Sequence, residues 1–304
     1  MSESKRFNQH HVQAWRDTGF VVINDFFSAA ELDPVLAVFE TMYVDRGEGE
    51  GLVKDVKQLS EIGGFHPRQF MNFDQMPYDA SPAINLISLH PSLIEFSRAL
   101  LDAPHVHCYQ SHSWAKYTGE ADYDQAFHCD FSNHTLTVPS DNVTQRSVDF
   151  VFYISDVTND LGALHYVTKP DAERVLGPGE LEAPAEQQLA LKALEQSAAG
   201  PSGTLVAHSI DTFHRGTNLT QTGGRRFTMT VGYKASGNEK IGFHVWQYSP
   251  ARPWQLILNH ASAAQLEVIG IPRPGDEFWT ERTLRLTQKR WPDWNMTEYF
   301  AAHG

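Results

Sequence analysis

The sequence predicts a mainly β fold with flanking helices, arranged as an antiparallel barrel or double-sheet jelly roll. Three observations lead there. From residue 105 the chain becomes a series of short strand-like runs joined by long connections. Helix signals fall mostly before and after that series. Nowhere do strands and helices alternate in the βαβαβ rhythm of a doubly wound sheet.

Residues 20–23 (FVVI) form a short apolar strand after Gly19. Ser28-Ala-Ala-Glu31 is a capping box, and it starts a helix with Leu32, Val35, Leu36 and Phe39 on its apolar face. Residues 92–100 predict a second helix, anchored by Leu93, Ile94 and Phe96. The irregular stretch 47–82, rich in glycines and aromatics, suits a mobile cover over a site. Strands follow at 105–116, within 125–131, and at 147–154, 164–168, 204–208 and 226–233. Residues 184–198 read as an inserted helix with Pro184 in its first turn. Helices are also predicted at 254–258 and from Thr280, with Leu284 and Leu286 inside the latter. No internal repeat or linker stands out, so residues 1–304 read as a single elaborated domain.

Composition narrows the function. Lysine and arginine total 24 against 37 aspartates and glutamates, a net charge of -13, which argues against nucleic acid as a partner. No stretch reaches membrane-spanning length, and residues 1–15 lack the apolar core of a signal peptide. Two cysteines, Cys108 and Cys129, make no disulfide framework, so a reducing, cytoplasmic setting is expected. No G-x-S-x-G elbow marks a hydrolase. The oligomeric state is not legible.

The chemistry concentrates at His128-Cys129-Asp130. On a strand, residues two apart share a face, so an imidazole and a carboxylate would converge there. A distant histidine would complete the two-histidine, one-carboxylate triad of non-haem Fe(II) oxygenases, which leaves one face of the metal open. His214 is the candidate. The strand behind it is headed by Arg225-Arg226, and arginine can hold a carboxylate bidentately. A dicarboxylate such as 2-oxoglutarate could then bind metal at one end and arginine at the other. Cys129 would point away from the metal, as a small buried residue. His112, His134, His165 and His208 suit structural hydrogen bonds as well as any direct role, and His134 lies near enough to Asp130 to approach a substrate. Trp114, Phe131, Trp246 and Trp254 are candidate pocket or core aromatics.

These segments together resemble the phytanoyl-CoA dioxygenase family, Fe(II)- and 2-oxoglutarate-dependent oxygenases on a double-stranded β-helix (jelly-roll, cupin-like) core. The resemblance runs from about residue 10 to 235, through DTGFVVINDFFSAAEL, YQSHSWAK, HCD, FVFYISDVTNDLGALHYV, HRGTN and RRFTMTVGY. It implies that His128, Asp130 and His214 are the iron ligands. It implies that Arg226 anchors 2-oxoglutarate, with Arg225 as the alternative. Arg226 is preferred because it lies seven residues before Tyr233, the family's usual distance. Thr217 resembles the hydroxyl residue that helps bind the cosubstrate, and Gln110 and Lys116 resemble pocket residues. Two departures stand out: Val167-Thr168-Lys169-Pro170 replaces the usual proline-glycine-serine-histidine, and Arg215 rather than glycine follows His214. Asp130 is retained where related halogenases carry glycine or alanine, which favours hydroxylation.

The activity implied is oxidation of a small organic metabolite by dioxygen, with 2-oxoglutarate converted to succinate and CO2. The alternatives are a non-haem iron oxygenase without 2-oxoglutarate and a non-catalytic small-molecule-binding protein on the same fold.

Overall fold

The computed structural model describes residues 6–44, 72–119, 124–244 and 252–303. Nine strands lie among them: β1 (Phe20–Ile23), β2 (Phe73–Gln75), β3 (Val106–Tyr117), β4 (Ser147–Tyr153), β5 (Leu164–Tyr166), β6 (Gln196–Ser197), β7 (Leu205–Ser209), β8 (His214–Gly216) and β9 (Arg225–Ala235). Six make a sheet in the order β1-β7-β4-β9-β3-β2, and three make a small sheet in the order β6-β5-β8. All the pairings are antiparallel. The expected double-sheet architecture is present. The large sheet ends in open edges at β1 and β2, so it does not close into a barrel by itself.

The two faces of the large sheet have different covers. Phe150 and Phe152 of β4, Leu205 and Ala207 of β7, and Phe227, Met229 and Val231 of β9 point to the main hydrophobic core. Helices α1 (Gln9–Thr18), α2 (Ala29–Met42), α3 (Pro82–Ile87) and α4 (Pro91–Leu101) supply the other half of that core, through residues such as Trp15, Phe39 and Phe96. Each buried phenylalanine contributes about 1.5–3 kcal/mol. On the opposite face Val151, Tyr153 and Val206 meet Tyr166 and Ala163 from the small-sheet side. Every residue of β4 is therefore buried, which is why its sequence is a nearly continuous apolar run.

Local signals explain the helices. Ser28 N–H donates to Glu31 Oε2 at 2.8 Å, completing the capping box of α2. Pro91 opens α4 at a position where no N–H is needed, and Asp102 ends it in the left-handed conformation. Beyond the sheets, α8 (Gln255–Leu258), α9 (Ala263–Glu267), α10 (Glu281–Arg290) and α11 (Thr297–His303) bring Ile257, Leu266, Trp279, Leu284, Trp294 and Tyr299 onto the main core.

Several expectations are corrected. The stretch 184–198 is not one helix: a 3-10 turn, Ala185–Gln187, leads into a five-residue α7 (Gln188–Lys192), and the chain then extends into β6. Its apolar positions are too sparse to cover a longer helix: Leu191 is buried, but Leu189 is exposed. Residues 125–131 hold one bridge residue, His128, and then turn into the short α5 (Phe131–His134). Residues 164–168 stop being strand at Tyr166, because Thr168 caps α6 (Lys169–Leu176). This cap occupies the place of the altered family motif. Most of the suggested cover, residues 45–71, lies outside the described residues, and the remainder contains β2, paired to β3. No described helix is long and apolar enough to cross a membrane.

Candidate functional site

His128 and His214 are brought together by their backbones. Each donates its N–H to the other's carbonyl at 3.0 Å, an isolated antiparallel bridge. Gln125 extends this ribbon, with its N–H on Gly216 O at 2.9 Å and its side-chain oxygen accepting Gly216 N–H at 2.7 Å. After His128 the chain leaves the extended conformation. Asp130 has φ -81 and ψ -6 and begins α5, so a turn and not strand alternation carries its carboxylate back to the histidines. That corrects the strand expected at this tripeptide while keeping its consequence. The ligating atoms of His128, Asp130 and His214 all lie within 4.8 Å of one another.

The donors are oriented for a cation. His128 Nδ1–H donates to Ala126 O at 2.8 Å, and His214 Nδ1–H donates to Thr212 O at 3.0 Å. A carbonyl can only accept, so in the neutral rings both Nε2 atoms carry the lone pair that a metal needs. Asp130 Oδ1 stands 3.7 Å from His128 Nε2, and Oδ2 stands 3.4 Å from His214 Nε2. Burial works to raise the Asp130 carboxyl, but His214, His208 and His128 outweigh it and hold it well below the ordinary carboxylate range. His214 shifts up, because Asp130 overcomes the effect of burial. His128 shifts down, through burial and the neighbouring His214. His208 is a further imidazole here. It is 2% exposed, its Nδ1 meets the Tyr166 hydroxyl at 3.2 Å, and its Nε2 stands 3.8 Å from Asp130 Oδ2 without a hydrogen bond.

The triad opens into a cavity of about 430 Å³ between the two sheets. Its floor is one face of the large sheet. Register pairs His112 with Thr230, Trp114 with Thr228 and Lys116 with Arg226, and all six line the cavity.

Arg226 is the unusual group in this floor. It is 5% exposed, donates one bond to Gly162 O, and leaves Nε without a partner. Burial lowers it to about 10, against the opposing effect of Tyr153. No carboxylate pairs with it among the described residues. Arg225 faces the other way, pairing with Glu40 at 2.7 Å and lying over the Phe227 ring, half-exposed.

Of the other candidate residues, Gln110 and Lys116 line the cavity. Gln110 donates to Asp149 Oδ1 at 2.7 Å. Thr217 does not line the cavity: its hydroxyl donates to Ala163 O at 2.7 Å. Trp114 and His134 line it, whereas Trp254 packs in the main core and Trp246 lies outside the described residues. Cys129 is buried beside Phe127 and Phe213, as expected. Arg215, the residue that departs from the family pattern, pairs with Glu195 at 2.7 Å and Asp124 at 2.9 Å behind the site. Thr228, Thr230 and Tyr153 were not anticipated as lining residues. Counting by twos from Arg226 would have found the first two. His244, also on the cavity, carries no local signal in the sequence.

The sequence profile of the phytanoyl-CoA dioxygenase (PhyH) family matches residues 15–227, more than half of the chain. The chain belongs to that family. As a PhyH-family protein with a two-histidine, one-carboxylate cluster, it is an oxygenase of the 2-oxoglutarate-dependent type.

Solved structures share the PhyH fold at low identity. EctD from S. alaskensis, in its apoform, is 17% identical with a TM-score of 0.56, covering 83% of this chain and 88% of that one. The non-haem, α-ketoglutarate-dependent epimerase SnoN from nogalamycin biosynthesis is 15% identical with a TM-score of 0.54, covering 75% and 82%. The related carbocyclase SnoK is 17% identical with a TM-score of 0.54, covering 76% and 85%. No protein of curated function matches the chain.

Proposed function

We propose that this protein is an Fe(II)- and 2-oxoglutarate-dependent hydroxylase of a small organic metabolite, releasing succinate and CO2. In this reading His128, Asp130 and His214 hold the iron, and Arg226 holds the distal carboxylate of 2-oxoglutarate. The two sheets act as the halves of a double-stranded β-helix around them, and residues 1–304 work as a single domain. Hydrophobic packing continuous from Phe7 to Tyr299 favours that last point.

One observation carries the reading: a guanidinium nearly sealed from solvent, on the same cavity as the triad, with an unpartnered Nε and no carboxylate partner among the described residues. A buried charge without a counter-charge is costly, and a cosubstrate carboxylate would relieve it. The donor set fits Fe(II) equally well, with two imidazole Nε2 atoms whose tautomers are set by Ala126 and Thr212, and one carboxylate. When bound, the iron and 2-oxoglutarate supply the oxidising chemistry. The chain's own residues orient and enclose. Arg226 sets the direction of the cosubstrate, Tyr153 and Thr228 flank it, and the two sheets keep bulk water from the reacting end. Asp130 keeps a carboxylate at the third ligand position, which favours hydroxylation over halogenation. The same lone guanidinium disfavours a triad oxygenase that uses no 2-oxoglutarate.

Anaerobic addition of Fe(II) and then 2-oxoglutarate should produce the visible charge-transfer band of an iron–2-oxo-acid chelate, and oxygen should then yield succinate. Absence of the band in folded, iron-loaded protein would overturn the reading.

A further inference from the structure

We propose that the cavity wall formed by His112, His134 and His244, above the buried Asp149, receives a positively charged nitrogen group of the substrate, an amine or quaternary ammonium. The proposal rests on the oxygenase reading of the site and names the substrate class that this cavity selects.

The wall lies at the opposite end of the floor from Arg226. The cavity-side residues of β9 run Arg226, Thr228, Thr230, Gly232, and Asp149 of β4 is registered against Gly232. His112 is registered against Thr230, four residues or roughly 13 Å of strand from Arg226, and Asp149 lies two residues further. The Arg226 end is built for an anion. The other end is built from acceptors.

A bulge creates it. Between Cys108 and Gln110 the register of β3 shifts, leaving Tyr109 as the extra residue. Tyr109 and Gln110 both reach Asp149: the Tyr109 hydroxyl donates to Oδ1 at 2.6 Å and Gln110 Nε2 donates to it at 2.7 Å. Gly232 makes the room, since a Cβ there would lie 2.5 Å from Tyr109 Cε1 and 2.6 Å from Asp149 Oδ1. Asp149 is fully buried, and its Oδ2 has no hydrogen-bond partner. Both groups that bond it are neutral. No described cation pairs with it. The nearest along the same face of β9, Lys234, donates instead to Asn238 O at 3.0 Å and Ile241 O at 2.6 Å, against the Phe243 ring.

His208 of β7 is registered against Asp149, and the imidazoles of the wall do not neutralise the carboxylate. Burial, with His244 and His134 adding to it, drives His112 down to about 3, and burial with His134 also lowers His244. Both are neutral at pH 7, and each neutral ring has one nitrogen that accepts. The rings form one group: His134 and His244 are 5.3 Å apart, and His112 and His244 are 6.3 Å apart. His134 is nine-tenths buried on the cavity, with Nδ1 unpartnered. Phe73 and Trp114, with ring centroids 4.7 Å apart, add aromatic faces that attract a cation.

The placement of charge along the cavity points the same way. Its lining cations, Arg226 and Lys116, are registered against each other at one end. The histidine wall at the other end holds no lysine or arginine, and Asp149 lies behind it. Asp149 acts through its field, since Gln110 and the rings, and not its own oxygens, face the cavity.

The test is titration calorimetry on anaerobic protein loaded with Fe(II) and 2-oxoglutarate. The probes are choline and its uncharged isostere, in which tert-butyl replaces trimethylammonium. Choline should bind at least about tenfold more tightly, and Asp149→Asn should remove most of that preference. Equal or tighter binding of the isostere, or no binding of choline, overturns the proposal, as does an undiminished preference in folded D149N. If D149N does not fold, the double substitution His112→Leu and His134→Leu takes its place, and a retained preference overturns the proposal again. The charge-transfer band of the same samples reports the oxygenase reading separately. Its absence sinks that reading, whereas a lost choline preference with the band intact sinks only this one.

Discussion

Arg225 and Arg226 are adjacent in sequence and opposite in situation. Strand alternation sends one side chain to solvent and Glu40, and the other into the cavity. Removing Arg226 should therefore weaken 2-oxoglutarate binding by about 2–5 kcal/mol, roughly 30-fold or more. Removing Arg225 should leave it unchanged and cost at most about 1 kcal/mol of stability, as exposed ion pairs do. Cosubstrate titrations of R226A and R225A check both, and a selective loss in R225A would reverse the assignment. Thr217 gives a second contrast. Its hydroxyl is engaged by Ala163 O, so Thr217→Val should lower stability by about 1 kcal/mol while 2-oxoglutarate affinity stays within error. A large affinity loss would restore the direct role that family resemblance suggested. At this scale the sequence was informative about residue types and their order. It was silent on Thr217's partner and on His244, because those depend on what the fold brings alongside.

Elements were legible where their signals are local. The capping box at Ser28 predicts α2, and Glu31 turns out to hold more than the cap. It also accepts from Arg6 at 2.7 Å and meets His90 Nε2 at 3.0 Å. Burial works to raise the Glu31 carboxyl, yet Arg6, Ser28 and His90 hold it far below the ordinary range. A carboxyl depressed on folding stabilises the protein above its unfolded pKa of about 4.3, and that contribution is lost as pH falls toward the folded value. Glu31→Gln should thus cost about 1–2 kcal/mol at pH 7, and its difference from the parent should shrink below about pH 4.3. Urea denaturation at both pH values measures this, and a difference independent of pH would remove the ionic part of the account. The stretch 184–198 was misread for a related reason. Its propensity is helical, but one buried leucine cannot secure four turns, and pairing with β5 claims residues 196 and 197.

For the whole molecule, the proposed ligands tie distant parts of the chain together. His128 and Asp130 precede α5, His214 belongs to the small sheet, and Arg226 belongs to the large one. A metal and cosubstrate bound only by the folded state stabilise it by mass action, about 2.7 kcal/mol at a hundred times Kd. Adding Fe(II) and 2-oxoglutarate under anaerobic conditions should raise Tm by several degrees, and a chelator should reverse it. The same additions to His214→Ala should give a much smaller shift. An equal shift in the variant would mean that the ligands bind elsewhere.

Periodicity, caps and the two-residue spacing of His128 and Asp130 are properties of neighbouring residues, and the sequence by itself determined them. They specify most strands, the first helices and the candidate metal-ligating residue types. The tertiary structure decided the rest. Asp130 reaches its histidines through a turn and not along a strand, because the chain must leave the β8 ribbon to enter α5. Arg226 has no carboxylate partner among the described residues, and the groups that bond Asp149 there are the neutral Tyr109 and Gln110, because strands far apart in sequence pair in one register. Charge balance inside a cavity is a sum over everything that surrounds it. No segment of the sequence contains that sum.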